Sequence, residues 1–131
     1  MSTRASFLIC VFVSFLAAAA HTPVRASDPQ LAAQLSAGER LYKEHCAMCH
    51  GDDGQRGAGF PRPIWGKGHD LAKFANAKGL FEYLQMLMPF DNPAKMNDEE
   101  KWAVTAFMLQ KNQGPLRERL HAGNSGSLAI R

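Results

Sequence analysis

The chain has 131 residues, 46% of them hydrophobic, with 15 Lys and Arg against 12 Asp and Glu for a formal net charge of +3. Arg4 and Arg25 fall in an N-terminal segment that reads as removable; a cut after Ala26 leaves 105 residues and 13 basic against 12 acidic groups, a balance of +1. So small a charge gives no argument for a nucleic-acid or membrane-binding surface, and the length fits one small domain without room for a second.

Residues 1–26 have the layout of a secretory signal peptide. Arg4 supplies the positive start, Phe7 to Ala20 is apolar apart from Ser14, and Val24-Arg25-Ala26 resembles a small-x-small cleavage site, with a cut after Ala20 as the alternative. The apolar run is shorter than the roughly 20 residues a membrane span needs, so no stable membrane insertion is expected. Cys10 would leave with this segment, and Cys46 and Cys49 are then the remaining cysteines of the expected domain, residues 27–115.

The first expected helix starts near Ser36, where Ser36 and Glu39 match a capping box, and runs through Leu41 and Tyr42 into Cys46. At its end stands Cys46-Ala47-Met48-Cys49-His50. Two thiols three residues apart, with a histidine beside the second, form the attachment pattern of c-type haem. Each thiol can add across one haem vinyl group, and His50 then serves as the proximal ligand to iron. A zinc site would need three or four protein ligands, and no second Cys pair completes one. A redox dithiol belongs beside a βαβ pattern, which this sequence lacks.

Six glycines between Gly51 and Gly68, with Pro61 and Pro63, predict a loop without regular structure. A second helix is expected from about Asn76 to Met86, with Leu80, Tyr83, Leu84 and Leu87 at core spacing and Pro89 ending it. Asn97 and Glu100 open the last long helix, whose apolar residues Trp102, Val104, Phe107 and Met108 precede a stop near Asn112. Residues 116–131 read as a flexible tail with a short helical turn up to Leu120. With no alternating strand pattern, the fold class is all-α: three to four helices and long loops around one haem.

Over residues 34 to 113 this order of features resembles the class I cytochrome c family. Gly38 and Tyr42 match that family's glycine and aromatic on the first helix, with Val104 and Phe107 as the facing pair on the last. Pro63-Ile64-Trp65-Gly66 resembles the segment whose proline carbonyl accepts a hydrogen bond from the proximal histidine, which implies that Pro63 orients His50. Met88-Pro89-Phe90 looks like the family's ligand loop and implies Met88 as the sixth ligand. Met96 is read as a core plug, and Met86 and Met108 as core packing. His45 reads as a solvent-facing or loop-contacting residue, His69 as an exposed loop histidine with contact to a propionate as the alternative, His121 as a poor ligand candidate, and Lys67, Lys73 and Lys78 as either solvated surface or part of a docking rim.

The resemblance implies a periplasmic one-electron carrier, or the cytochrome subunit of a dehydrogenase, rather than an enzyme in its own right. Its partners would be a dehydrogenase donor and an oxidase or reductase acceptor. The stretch from Met88 to Pro93 looks like the small cytochromes that accompany dehydrogenases of sulfite or other sulfur compounds. The alternative classes, a haem enzyme or a small-gas sensor, need an open or displaceable sixth position, and no distal acid or base is evident for catalysis.

Overall fold

The computed structural model describes residues 28–131, so the expected signal segment lies outside the described residues. Five α-helices follow in chain order: α1 (Pro29–His45), α2 (Ala47–His50), α3 (Ala77–Leu87), α4 (Asp98–Gln113) and α5 (Ala122–Ser125). Single 3-10 turns cover Asp70–Lys73 and Pro93–Lys95. Among the described residues there is no strand, only an isolated antiparallel bridge between Asn76 and Ala129. None of the described helices is long and apolar enough to cross a membrane.

The helix α1 begins seven residues before the expected Ser36. Asp28 caps it by accepting a hydrogen bond from the Gln30 N–H, and Pro29 occupies the first turn, where a missing N–H costs nothing. Leu31, Gln34, Gly38, Leu41 and Tyr42 form its buried stripe at helical spacing. The solvent side carries Lys43–Glu39 and Arg40–Glu44 pairs.

That stripe lies on α4, which is buried continuously from Lys101 to Leu109 because α1 and α3 both pack against it. The crossing is tight at Gly38: a Cβ there would stand 2.1 Å from the Ala103 carbonyl oxygen and 2.9 Å from the Phe107 Cβ. Only glycine lets the two backbones approach this closely. Tyr42, fully buried, continues the contact with its ring centroid 5.6 Å from that of Phe107. Both long-range elements start from side-chain caps: Asn76 accepts from the Gly79 N–H, and Asn97 and Glu100 form a complete capping box.

Two expectations about α3 are corrected. Met86 and Leu87 do not join the core but are exposed, and Phe81 is buried instead, stacked on Trp102 with centroids 3.6 Å apart. The face of α3 that meets α4 is rotated toward Ala77, Leu80, Phe81 and Leu84, which are spaced three, one and three apart. Met96 and Met108 are core residues as read from the sequence.

Residues 116–131, expected as a flexible tail, are hydrogen-bonded to α1 and to the start of α3. Gln34 on α1 clamps Leu120 from both sides, its Nε2 donating to the Leu120 carbonyl and its Oε1 accepting from the Leu120 N–H, each at 2.8 Å. Leu120 and Ser125 are buried. The Ala77 N–H donates to the Leu128 carbonyl and the Ile130 N–H to that of Ala75, so the C-terminus is tied beside the start of α3. Composition misled here because the anchors are backbone groups satisfied by distant partners, and glycine and serine content carries no trace of them.

Candidate haem site

The site starts where α1 ends. Cys46 closes α1 by donating its N–H to the Tyr42 carbonyl at 2.8 Å, and its own carbonyl accepts from the His50 N–H at 2.9 Å. The chain thus turns once into α2, and Cys46, Cys49 and His50 stand three and four residues apart on that turn, the spacing that puts side chains on one helical face. Both cysteines are free thiols, Cys49 exposed and Cys46 half-buried. Burial, and then the neighbouring Cys49, push the Cys46 thiol up to about 12.

The loop that follows is folded back onto this turn. The Cys49 carbonyl accepts from the Gly59 and Phe60 N–H groups at 3.1 and 2.9 Å. A Cβ on Gly57 would lie 2.2 Å from that same oxygen, so a residue with a side chain would push the loop off. The Tyr42 hydroxyl donates to the Gly51 carbonyl at 2.9 Å, and desolvation raises its pKa well above the ordinary phenol value. Tyr42, Trp65 and Phe107 form an aromatic triangle with centroids 5.1 to 5.8 Å apart. It couples the helix crossing to the loop.

His50 sits in this wall with the Phe60 ring 5.1 Å away. Burial holds its imidazole below the usual pKa, with Asp70 pulling upward and Lys73 adding to the depression. The neutral ring, the form that ligates a metal, therefore persists to lower pH than in an exposed histidine. Its Nδ1 is buried without a hydrogen-bond partner among the described residues. The Pro63 carbonyl, which the resemblance assigns to this nitrogen, accepts the Asp70 N–H at 2.8 Å and keeps a second lone pair. The Asp70 carboxylate is in turn held by Arg62 at 2.9 Å and Lys73 at 2.5 Å.

Met88 lies on a different element. It caps α3 in an extended conformation, donating its N–H to the Leu84 carbonyl at 3.2 Å, and packs half-buried against the core. Pro89 follows, buried, and Phe90 is exposed. Among the described residues no group of three or more His, Cys, Asp or Glu side chains is arranged to hold a bare metal ion. A porphyrin brings four nitrogens of its own, so a thiol pair, one imidazole and one thioether suffice for it. The donor types, with a buried and unpartnered His50 Nδ1 among the described residues, fit haem c.

Of the other described histidines, only His69 differs from expectation. His69 is not simply an exposed loop residue: its Nδ1 is buried and has no partner. His45 lies 3.6 Å from Glu44, and His121 caps α5 by accepting from the Gly123 N–H. Lys73 and Lys78 pair with Asp70 and Glu82, which favours the reading of these lysines as solvated surface over that of a docking rim.

Residues 33–108 match the family model described as "Cytochrome C oxidase, cbb3-type, subunit III". The chain belongs to this family of c-type cytochromes. The cytochrome is 33% identical over 107 residues to a thiosulfate dehydrogenase of Stutzerimonas stutzeri, a match covering 74% of this chain and 33% of that protein. It is 34% identical over 83 residues to a thiosulfate dehydrogenase of Allochromatium vinosum, covering 55% and 29% respectively. It therefore spans about a third of the length of these curated relatives. Among solved structures, that of the sulfane dehydrogenase SoxCD from Paracoccus pantotrophus superposes with a TM-score of 0.61 over 79% of this chain and 53% of that chain, at 21% identity. At that identity the likeness is one of fold, and it supports the all-α cytochrome c fold.

Proposed function

We propose that this cytochrome transfers single electrons through one covalently attached haem c, held by Cys46 and Cys49 and ligated by His50 and Met88. It would act in the periplasm as the cytochrome subunit, or the carrier partner, of a dehydrogenase of sulfur compounds. The observation that carries the reading is the single turn bearing Cys46, Cys49 and His50, whose buried Nδ1 has no partner among the described residues. The two thiosulfate dehydrogenases among its relatives support the class of partner. The apolar run within residues 1–26 supports export, and residues 27–115 would form the haem-binding domain.

Each residue has a defined task. The Cys46 and Cys49 thiols would hold the haem by adding across its two vinyl groups, sulfur to one carbon and hydrogen to the other, an addition with no net redox change. Burial favours the neutral form of the His50 ring, and the Pro63 carbonyl, with its spare lone pair, is the acceptor the resemblance assigns to Nδ1, a contact that would orient the ring and make the ligating nitrogen more basic. Met88 offers a neutral thioether that favours the reduced metal. When bound, the haem iron exchanges one electron between its ferric and ferrous states.

The test is the visible spectrum of the oxidised holoprotein, which should show the weak long-wavelength band of methionine sulfur on ferric haem. Met88→Ala should abolish the band and lower the midpoint potential by on the order of 0.1 V, a fraction of the span of about 0.8 V that axial ligands command. A high-spin spectrum in the wild type would instead favour an open haem site, as an enzyme or gas sensor requires.

A further inference from the structure

Lys101 is the one lysine of the described core. The residue is only 4% exposed, yet no carboxylate among the described residues forms an ion pair with it. Its Nζ donates instead to the carbonyl of Gln85, at 3.2 Å. Burying a cation is costly unless something specific offsets the lost hydration. The partner here is one of the last carbonyls of α3, which have no acceptor role inside the helix and carry the negative end of its dipole.

The position of that carbonyl matters. Gln85 is three residues before Met88, in the turn from which Met88 leaves the helix, and α3 contains no basic residue of its own in that turn. Two other links fasten the same stretch to α4: Phe81 stacks on Trp102, and the Gln85 Nε2 donates to Asp98 at 2.9 Å. Lys101 is the link that acts on the backbone of the last turn. It is a tertiary cap supplied by a neighbouring helix.

We propose that Lys101 is a positioning residue for the sixth ligand: its buried ammonium pins the Gln85 carbonyl, fixes where α3 ends, and so holds Met88 toward the iron. The proposal rests on Met88 being the ligand. Without the cap the last turn of α3 opens more often, and the sulfur with it. An external ligand that enters only when Met88 is off binds in proportion to the open population, so its apparent affinity reads the opening directly.

The experiment titrates imidazole into the oxidised holoprotein and follows the visible spectrum, for wild type, Lys101→Met, Met88→Ala and Gln34→Ala. Losing a hydrogen bond to a charged donor should raise the open population and tighten imidazole binding about tenfold in Lys101→Met. Gln34→Ala releases Leu120 from α1, so it should lower the denaturation midpoint and leave imidazole affinity as in wild type. Wild-type affinity in Lys101→Met, with Met88→Ala tightened, overturns the role of Lys101 alone. Equal tightening in Gln34→Ala reduces Lys101 to general stability and also overturns it. If Met88→Ala binds imidazole like wild type, the ligand assignment falls and the proposal falls with it.

Discussion

The α1–α4 crossing and the wall around His50 are built to different standards of completeness. At the crossing, Gly38 meets the Ala103 carbonyl with no space for a methyl group, Tyr42 and Val104 are fully buried, and Gln34 satisfies both backbone groups of Leu120. Along the segments that carry the candidate ligands, the buried ring nitrogens of His50 and His69 have no partner among the described residues, and Met48, next to Cys49, and Phe90, two residues after Met88, are 84% and 86% exposed. The first region is closed by protein alone, as a core of native density should be. The second leaves polar and apolar capacity for something else, which is what a prosthetic group would use. Stability and function are thus carried by different parts of one short chain.

The largest expected effect breaks the crossing. Gly38→Ala places a methyl group against the Ala103 backbone, which cannot rotate away as a side chain would, so the helices must separate. Overpacking of this kind should cost about 3 kcal/mol by chemical denaturation of the holoprotein. Gly126→Ala, where nothing lies within 4 Å of the added carbon, should stay within about 0.5 kcal/mol of wild type. Similar losses for both would mean that the crossing is less rigid than its distances imply.

Next is the clamp on the C-terminal segment. Gln34→Ala leaves the Leu120 N–H and carbonyl buried without partners and should lower stability by about 2 kcal/mol in the same measurement. A change near zero would restore the reading of residues 116–131 as a dispensable tail.

The smallest effect is kinetic and sharpens the contrast inside the haem wall. In protein prepared without haem, alkylation near pH 8 should modify Cys49 faster than Cys46. The Cys46 thiol, pushed up to about 12, remains protonated there, and the thiolate is the nucleophile. Raising the pH toward that value should narrow the gap, because the Cys46 thiolate fraction grows with pH. Peptide mass spectrometry reads the two sites separately, and equal rates near neutral pH would show that Cys46 is not shielded.

The turn that bears Cys46, Cys49 and His50 was legible because its information is local. Cys46, Cys49 and His50 lie within five residues, and helical periodicity alone puts them on one face. The caps at Asn76 and Asn97 were legible for the same reason. The start of α1 was missed because Ser36 and Glu39 imitate a capping box, whereas Asp28 and Pro29 provide the real cap. The exposure of Met86 and Leu87 was missed because spacing defines a stripe on a helix but not how wide a face the neighbour covers. Nothing local in Gly68-His69-Asp70 signals that Asp70 gathers Arg62, Lys73 and the Pro63 carbonyl beside His50.

By itself the sequence determined the cofactor class and the helical architecture, since each depends on residue identity at short spacing, while the glycine at the helix crossing was implied by the family resemblance. Only the tertiary structure decided where the C-terminal residues go, which face of α3 is buried and what holds the end of that helix. Those outcomes depend on satisfying buried backbone groups with partners far away in the chain: Leu120 with Gln34, Gln85 with Lys101. Such pairs are chosen by the three-dimensional fit of whole elements, because a buried polar group accepts whichever donor the packing brings within reach.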